Sequence, residues 1–303
     1  EAKDKTVYAS IKKSFTDDLL ERTTKIMKSN LVGIRTLRSY AGRANHVANV
    51  LFAWRPFMDS LWAAAASTDN MRNNMAHKSK TKRRKSRAAN GMLWTKQIKT
   101  SLMWLKFFLC AQLGPISRSW TADFYFADPN ALVMILDASP WGLGGILVEN
   151  GCPVSWFSSP LSKADESIHR QKRGDHKGQQ VWEALAVLVA LRLWMKRWIQ
   201  RKAVLSIKSD NKAALGIAAR LKTAKNANLI GREIAWIYTS AAFHPRYVRH
   251  VPGVTNKLAD ALSRLTDPNG SYEVPSTLMG IAPSRVPLRP RSWYRTLAAE
   301  QVG

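Results

Sequence analysis

Between residues 131 and 265 the apolar positions follow two different periods. Ala131–Leu136 (ALVMIL) is an unbroken apolar run, the pattern of a strand covered on both faces. Gly142–Glu149 reads as a second strand. Asn150-Gly151 is the dipeptide favoured in two-residue hairpin turns, and Cys152–Phe157 completes a meander. Residues 158–179 are polar and read as a loop. Val181–Gln200 is apolar almost all round, which predicts a long and largely buried helix. Ala203–Ile207 follows as a strand, then Asn211–Arg220 and Ala227–Ser240 as helices. In His244–Val251, Tyr247 and Val251 alternate with Arg246 and His250, the period of a strand. Asn256–Leu265 is a short helix. Three strands, a helix, a strand, two helices, a strand and a helix predict an α/β fold, with a mixed five-stranded sheet and helices on its faces.

The flanks differ. Residues 1–67 read as helical, with apolar residues at three- and four-residue spacing over Asp17–Met27 and Leu31–Ala66, and Thr16 before Asp17-Asp18 suits a helix start. Residues 68–91 are polar, and Lys78–Arg87 carries seven basic residues in ten. Charges this dense repel one another, so the segment reads as a linker, with a nuclear-import signal or a phosphate-binding strap as functional alternatives. Residues 92–127 hold Trp94, Trp104 and Trp120, and suit a short helix and an extended lead-in. Residues 267–303 contain five prolines and no clear period, which predicts an extended or disordered tail. The expected organisation is a helical segment (1–67), a basic linker and lead-in (68–127), an α/β domain (128–266) and the tail. The chain opens on Glu1 rather than Met, which reads as a fragment of a longer protein.

Charge narrows the partners. The 303 residues include 47 Lys+Arg against 21 Asp+Glu, a formal net charge of +26. Such a field attracts polyanions, and nucleic acid fits better than a plain basic solvated surface. A membrane partner is not expected. The longest strongly apolar stretch, Ala184–Leu191, is flanked by Glu183 and Arg192. No apolar run approaches the roughly 18 residues of a spanning helix, and no signal peptide opens the chain. Cys110 and Cys152 form neither a disulfide framework nor a zinc pattern, which suits a reducing intracellular compartment, nucleus or cytoplasm.

Against this basic background the acids stand out. Residues 131–265 hold 20 Lys+Arg and nine Asp+Glu. Asp137 ends the apolar strand, where a carboxylate is costly to bury without a cation. Glu183 lies in the first turn of an apolar helix, where the helix dipole is an alternative explanation. Asp210 follows the strand AVLSIKS, where it could equally be a helix N-cap. Asp260 lies in NKLADALSR, where it could be an ordinary exposed residue. Adjacent central strands would set Asp137 beside Asp210, and the two helices could bring Glu183 and Asp260 to the same point. Four carboxylates in one cleft raise each other's pKa. Two divalent cations about 3.5–4 Å apart would balance them and suit phosphodiester cleavage. Oxygen-only ligands favour Mg²⁺, or Mn²⁺, over zinc.

The order Asp–Glu–Asp–Asp, carried by LDASPWGLGGIL, WEALAVLVAL, IKSDNKAAL and RHVPGVTNKLADALSR, resembles the ribonuclease H domain of retrotransposon polyproteins, gypsy-like or DIRS-like, over residues 128–266. Residues 34–64 are similar, more weakly, to the thumb or connection region of the reverse transcriptase in such elements. The resemblance implies a ribonuclease H-like fold and a metal-dependent endonuclease that cuts the RNA strand of an RNA–DNA hybrid, within a larger Pol polyprotein. It implies Asp137, Glu183, Asp210 and Asp260 as catalytic metal ligands for two ions. Ser139, Asn211 and Asn256 are the candidate substrate contacts, and the five basic residues of Lys163–Lys177 could add nonspecific ones or form a plain solvated loop. Trp141 and Trp156 read as packing residues rather than base-stacking ones.

Two departures from the family pattern stand out. Leu136 occupies a position where Thr is common. The loop Pro252-Gly253-Val254-Thr255 lacks the mobile His of cellular enzymes, and His250 sits on the preceding strand instead. Phe15-Thr16-Asp17-Asp18 mimics a polymerase motif, but that motif needs a β-hairpin, and Ile11–Ser14 is a poor strand. Three rival functions remain. The first is a catalytically inactive nucleic-acid-binding module of the same fold. The second is an integrase or transposase, whose last Glu would fall at Pro245 while the nearest is Glu233. The third is a non-enzymatic basic structural protein.

Overall fold

A computed structural model describes residues 2–3, 6–74, 91–121, 128, 130–199, 205–223, 225–241 and 247–298. The basic run 78–87 therefore lies outside the described residues. The chain forms two compact units, Glu1–Ser119 and Trp120–Gly303. Among the described residues no helix is long and apolar enough to cross a membrane.

The first unit is mainly helical. Strands β1 (Ala2–Lys3) and β2 (Thr6–Ser10) pair antiparallel, and β5 (Ser117–Thr121) extends them into a three-stranded sheet. Strands β3 (Leu31–Gly33) and β4 (Met92–Trp94) form a separate pair. Helix α1 (Lys13–Lys28) buries Thr16, Leu19, Thr23 and Ile26, one face at helical spacing. Helix α2 (Ile34–Val50) turns Leu37, Tyr40, Ala44 and Val47 inward. With α3 (Arg55–Asn74) and α4 (Lys99–Leu109), an aromatic core forms from Trp54, Phe57, Trp104 and Phe108, with ring centroids 5.5–5.9 Å apart. The helix start expected at Thr16 lies one turn earlier. Thr16 faces inward and its hydroxyl donates to the Lys13 carbonyl at 2.8 Å. Phe15–Asp18 is thus helical, and the Asp18 carboxylate is held by Arg22 and Arg43.

The second unit contains the mixed five-stranded sheet, flanked by helices, that the apolar pattern predicts. Strands β6 (Leu132–Ala138), β7 (Gly142–Glu149) and β8 (Cys152–Pro160) form the antiparallel meander. Asn150 and Gly151, with φ of 49° and 83°, make the turn between β7 and β8. Strands β9 (Leu205–Ser209) and β10 (Tyr247–His250) add in parallel on the other side of β6, so the order is β10-β9-β6-β7-β8.

Three local differences from the sequence reading have physical causes. The stretch 158–179 is not all loop. Helix α5 (Lys163–His169) forms there on a reciprocal capping box, in which Ser162 and Asp165 each bond the other's backbone N–H. The long apolar helix is two pieces, α6 (Gln179–Leu193) and α7 (Met195–Ile199), with the break at Trp194. Every side chain from Val181 to Leu191 is buried. Finally, the proline-rich tail is extended but packed. Trp156 of the edge strand β8 bridges Pro283 in parallel, its carbonyl accepts from the Ser284 N–H at 2.7 Å, and Leu278 joins a core cluster with Ile146 and Leu262. Trp156 donates its indole N–H to the Ile281 carbonyl at 2.8 Å, so it is a packing residue here. Helices α8 (Lys212–Arg220), α9 (Asn228–Ser240), α10 (Lys257–Arg264) and the short α11 (Arg295–Ala298) complete the unit.

Candidate metal centre

The site begins with strand register. Ile135 of β6 lies opposite Lys208 of β9 in the parallel pair, and carrying that register two residues further sets Asp137 beside Asp210. Glu183 comes from the first half of α6. The three carboxylates each place an oxygen so that all three lie within 4.8 Å of one another. Asp137 and Glu183 are 4% exposed, while Asp210 is half-buried. The N-cap reading of Asp210 does not hold. Asn211 is the cap of α8, its Oδ1 accepting from Ala213 and Ala214 N–H at 2.9 and 3.0 Å, which leaves the Asp210 carboxylate to the cluster.

Helix α10 is pressed onto β7 from one face. A Cβ at Gly144 would stand 2.4 Å from the Ala259 carbonyl oxygen and 2.5 Å from the Ser263 nitrogen, and one at Gly142 would stand 2.6 Å from the Ser263 carbonyl oxygen. The glycines of LDASPWGLGGIL therefore let a helix backbone touch the sheet. This contact brings two donors under Asp137. Ser263 donates its hydroxyl to Oδ2 at 3.0 Å, and Asn256 donates Nδ2 to Oδ1 at 3.3 Å and to the Leu136 carbonyl at 3.1 Å. A Cβ at Gly253 would stand 3.1 Å from Asp210 Oδ2, so the glycine leaves that oxygen room.

The electrostatics are those of a site short of positive charge. Burial is the main cause raising Asp137 to about 7, with the negative charge of Asp210 next and Asp260 adding to it, while the Ser263 bond and Arg264 pull the other way. Burial likewise pushes Glu183 well above the ordinary carboxylate range, helped by Asp137 and Asp210. Gln179, one turn earlier on α6, donates to Glu183 Oε1 at 3.0 Å and to the Ala138 carbonyl. Glu183 Oε2, Gln179 Oε1 and Asn256 Oδ1 are buried without a hydrogen-bond donor. Orphaned oxygens beside three close carboxylates form a donor set that fits a hard divalent cation.

The other residues singled out from the sequence stand elsewhere. Asp260 is not in the close cluster. Its Oδ1 accepts from Arg264 Nε at 2.7 Å, an i,i+4 ion pair on α10. Ser139 is 2% exposed and fully used inside the protein. It donates to the Ser263 carbonyl at 2.7 Å and accepts from the Trp141 and Gly142 N–H groups at 3.2 and 3.0 Å. Its hydroxyl holds the β6–β7 turn. Asn256, also 2% exposed, holds Asp137 rather than facing solvent. Asn211 is half-buried with its oxygen engaged in the cap. His250 is exposed on β10, and the turn Gly253–Thr255 holds no titratable group. Ser263, Gln179 and Arg264 were not singled out from the sequence. Their signal was spacing, since Gln179 lies four residues before Glu183, and Ser263 and Arg264 lie three and four after Asp260, each on a shared helix face.

No protein-family model matches the chain, and no curated protein matches it. Among solved structures, ribonuclease H1 from the halophilic archaeon Halobacterium salinarum NRC-1 is similar to it. The identity is 17%, the match covers 46% of this chain and 98% of that one, and the TM-score is 0.33.

Proposed function

We propose that this protein is a metal-dependent endonuclease that cleaves the RNA strand of RNA–DNA hybrids, acting in an intracellular retroelement reverse transcriptase as part of a larger Pol polyprotein. One observation carries the reading. Three carboxylates from separate segments come within 4.8 Å of one another at the strand ends of a mixed sheet, in a chain of net charge +26. The four sequence motifs that resemble retroelement ribonuclease H domains meet at the same place.

Asp137, Glu183 and Asp210 would hold a divalent cation, Mg²⁺ or Mn²⁺, and Asp260 would help hold a second. Bound there, the ions would supply charge that activates water for in-line attack on phosphorus and stabilises the leaving oxygen. The chain's own part is to hold oxygens ready. Ser263 and Asn256 fix both oxygens of Asp137, and Gln179 fixes one oxygen of Glu183. The burial of Ser263 and Asn256 keeps bulk water from competing for the bonds to Asp137. The basic surface grips phosphates without reading sequence, and selection of RNA falls to contacts with the 2′-hydroxyl. The Asn211 amide nitrogen, beside the cluster at the tip of α8, is a candidate donor for that contact. One observation favours the rival binding-only module, namely that Asp260 is engaged by Arg264.

A cleavage assay on the full chain separates the two. With Mg²⁺, RNA should be degraded when annealed to DNA, but not as a single strand or an RNA duplex. Asp137→Asn should remove cleavage and keep hybrid binding, which itself should weaken steeply with salt. Equal cutting by both proteins, or cutting that persists in a chelator, would sink the proposal. Binding without cleavage by the wild type would favour the rival.

A further inference from the structure

Helix α10 carries two neighbouring side chains that treat the cluster in opposite ways. The Ser263 hydroxyl reaches both the Asp137 carboxylate at 3.0 Å and the Asp260 carbonyl at 2.9 Å. A single hydroxyl thus separates the backbone of Asp260 from the cluster. The Asp260 side chain nevertheless points its Oδ1 at Arg264. Both partners of that pair are part-exposed, at 42% and 38%. A pair of this kind is weak, so it can hold the carboxylate in the absence of a competitor and yield to a divalent ion. Arg264 also has a second partner, since its guanidinium lies 6.0 Å from the centre of the Tyr272 ring while it holds Asp260. The helix beneath cannot shift to compensate, because its backbone is seated on Gly142 and Gly144.

We propose that Arg264 is a positioning residue, an internal cation that keeps Asp260 off the three-carboxylate cluster until a second divalent ion displaces it. This rests on the nuclease reading of the site and adds to it a reason for stepwise loading. The cluster of Asp137, Glu183 and Asp210 takes a first ion unaided. The second ion must compete with a guanidinium for its ligand, so Arg264 sets the metal concentration at which the site is complete.

The experiment titrates Mn²⁺ into the full chain by calorimetry without nucleic acid, alongside the Mg²⁺ dependence of hybrid cleavage. Arg264→Gln should bind the second Mn²⁺ roughly three- to ten-fold more tightly, the scale expected for removing one competing charge near a divalent ion. Its half-maximal Mg²⁺ should fall in parallel, with the KM for hybrid unchanged. Asp260→Asn should lose the second binding event, and the double variant should show none of the gain. Tightening that survives in the double variant would reduce Arg264 to a repelling charge and overturn the proposal. So would unchanged or weaker Mn²⁺ binding by Arg264→Gln, or a raised hybrid KM with unaltered metal affinity, which is the mark of a phosphate contact. Thermal unfolding reports on folding of each variant. If Asp137→Asn binds Mn²⁺ as the wild type does, the site reading itself fails, independently of Arg264.

Discussion

The second unit buries carboxylates in two ways. Asp165 and Glu233 are wholly buried and compensated from within the chain. Arg289 clasps Asp165 with Nε and Nη2, each 2.9 Å from a carboxylate oxygen, and reaches Ser159 Oγ and the Pro160 carbonyl at 2.9 Å with its remaining donors. Arg192 meets Glu233, which also accepts from the Arg295 and Thr296 N–H groups and the Thr296 hydroxyl. Asp137 and Glu183, just as deep, face each other and Asp210 instead. They receive neutral donors, and one oxygen of Glu183 receives none. The first pair of residues has its counter-charge folded in, Arg289 from the tail for Asp165 and Arg192 from α6 for Glu233. The second pair has no ion-pair partner of this kind among the described residues, and Arg264 only partly offsets the charge at Asp137. Burial alone therefore does not mark a working site. Burial with unbalanced charge is what makes the Asp137 cluster the candidate.

Three experiments press on this contrast. The largest effect should come from breaking a compensated pair. Arg289→Ala leaves the wholly buried Asp165 without its ion-pair partner, and should cost about 3–5 kcal/mol of stability by chemical denaturation. A cost below about 1 kcal/mol would mean that the tail is not docked in solution as described.

The next effect is pH-dependent and belongs to the uncompensated site. In the metal-free chain Asp137 keeps its proton up to about pH 7. In the unfolded chain an aspartate loses it near ~3.9. Between those values the folded state binds more protons, so this group's contribution falls as pH rises. Glu183, also raised, acts in the same direction. His169 acts oppositely. Burial lowers it to about 4, so the folded state binds fewer protons than the unfolded chain over roughly pH 4 to 6.5 and stability rises there. The difference between wild type and Asp137→Asn isolates the site. In chelator, from about pH 5 to pH 8, the wild type should lose on the order of 2 kcal/mol more than the variant, and Mg²⁺ should erase the gap. Parallel pH profiles would remove the claim that the cluster is short of positive charge.

The smallest effect sharpens the compensated side. Ser162→Ala breaks the capping box of α5 but leaves the Asp165–Arg289 pair, and should cost about 1 kcal/mol. A loss as large as that of Arg289→Ala would show the cap and the ion pair to be one unit.

Much of the fold was legible in the sequence because it depends on local rules. ALVMIL reads as a strand covered on both faces, and the Asn150-Gly151 turn marks the next two strands as a hairpin. The α5 capping box is equally local, but Ser162 and Asp165 lie in a polar stretch with no apolar period to announce a helix. The tail was not legible, because its prolines describe an extended chain and say nothing about what the chain lies against. Trp156, Asp165 and Glu233 are its partners, and they lie more than a hundred, or some sixty, residues away.

The candidate site divides along the same line. Composition and period along the chain were enough to set the order of elements, the hairpin and the odd placement of acids in a basic chain, because each follows from neighbours in sequence. Which acids meet, and what each is bonded to, was decided only when β9 took its register against β6 and α10 settled on the glycines of β7. Those contacts set Asp137 beside Asp210 and turned Ser139 and Asn256 inward, whereas the Asn211 cap and the Asp260–Arg264 pair are local. The physical reason is range. Propensity acts over one turn or one hairpin, whereas a buried carboxylate's partner is whatever distant backbone the packing brings within 3 Å or so of it.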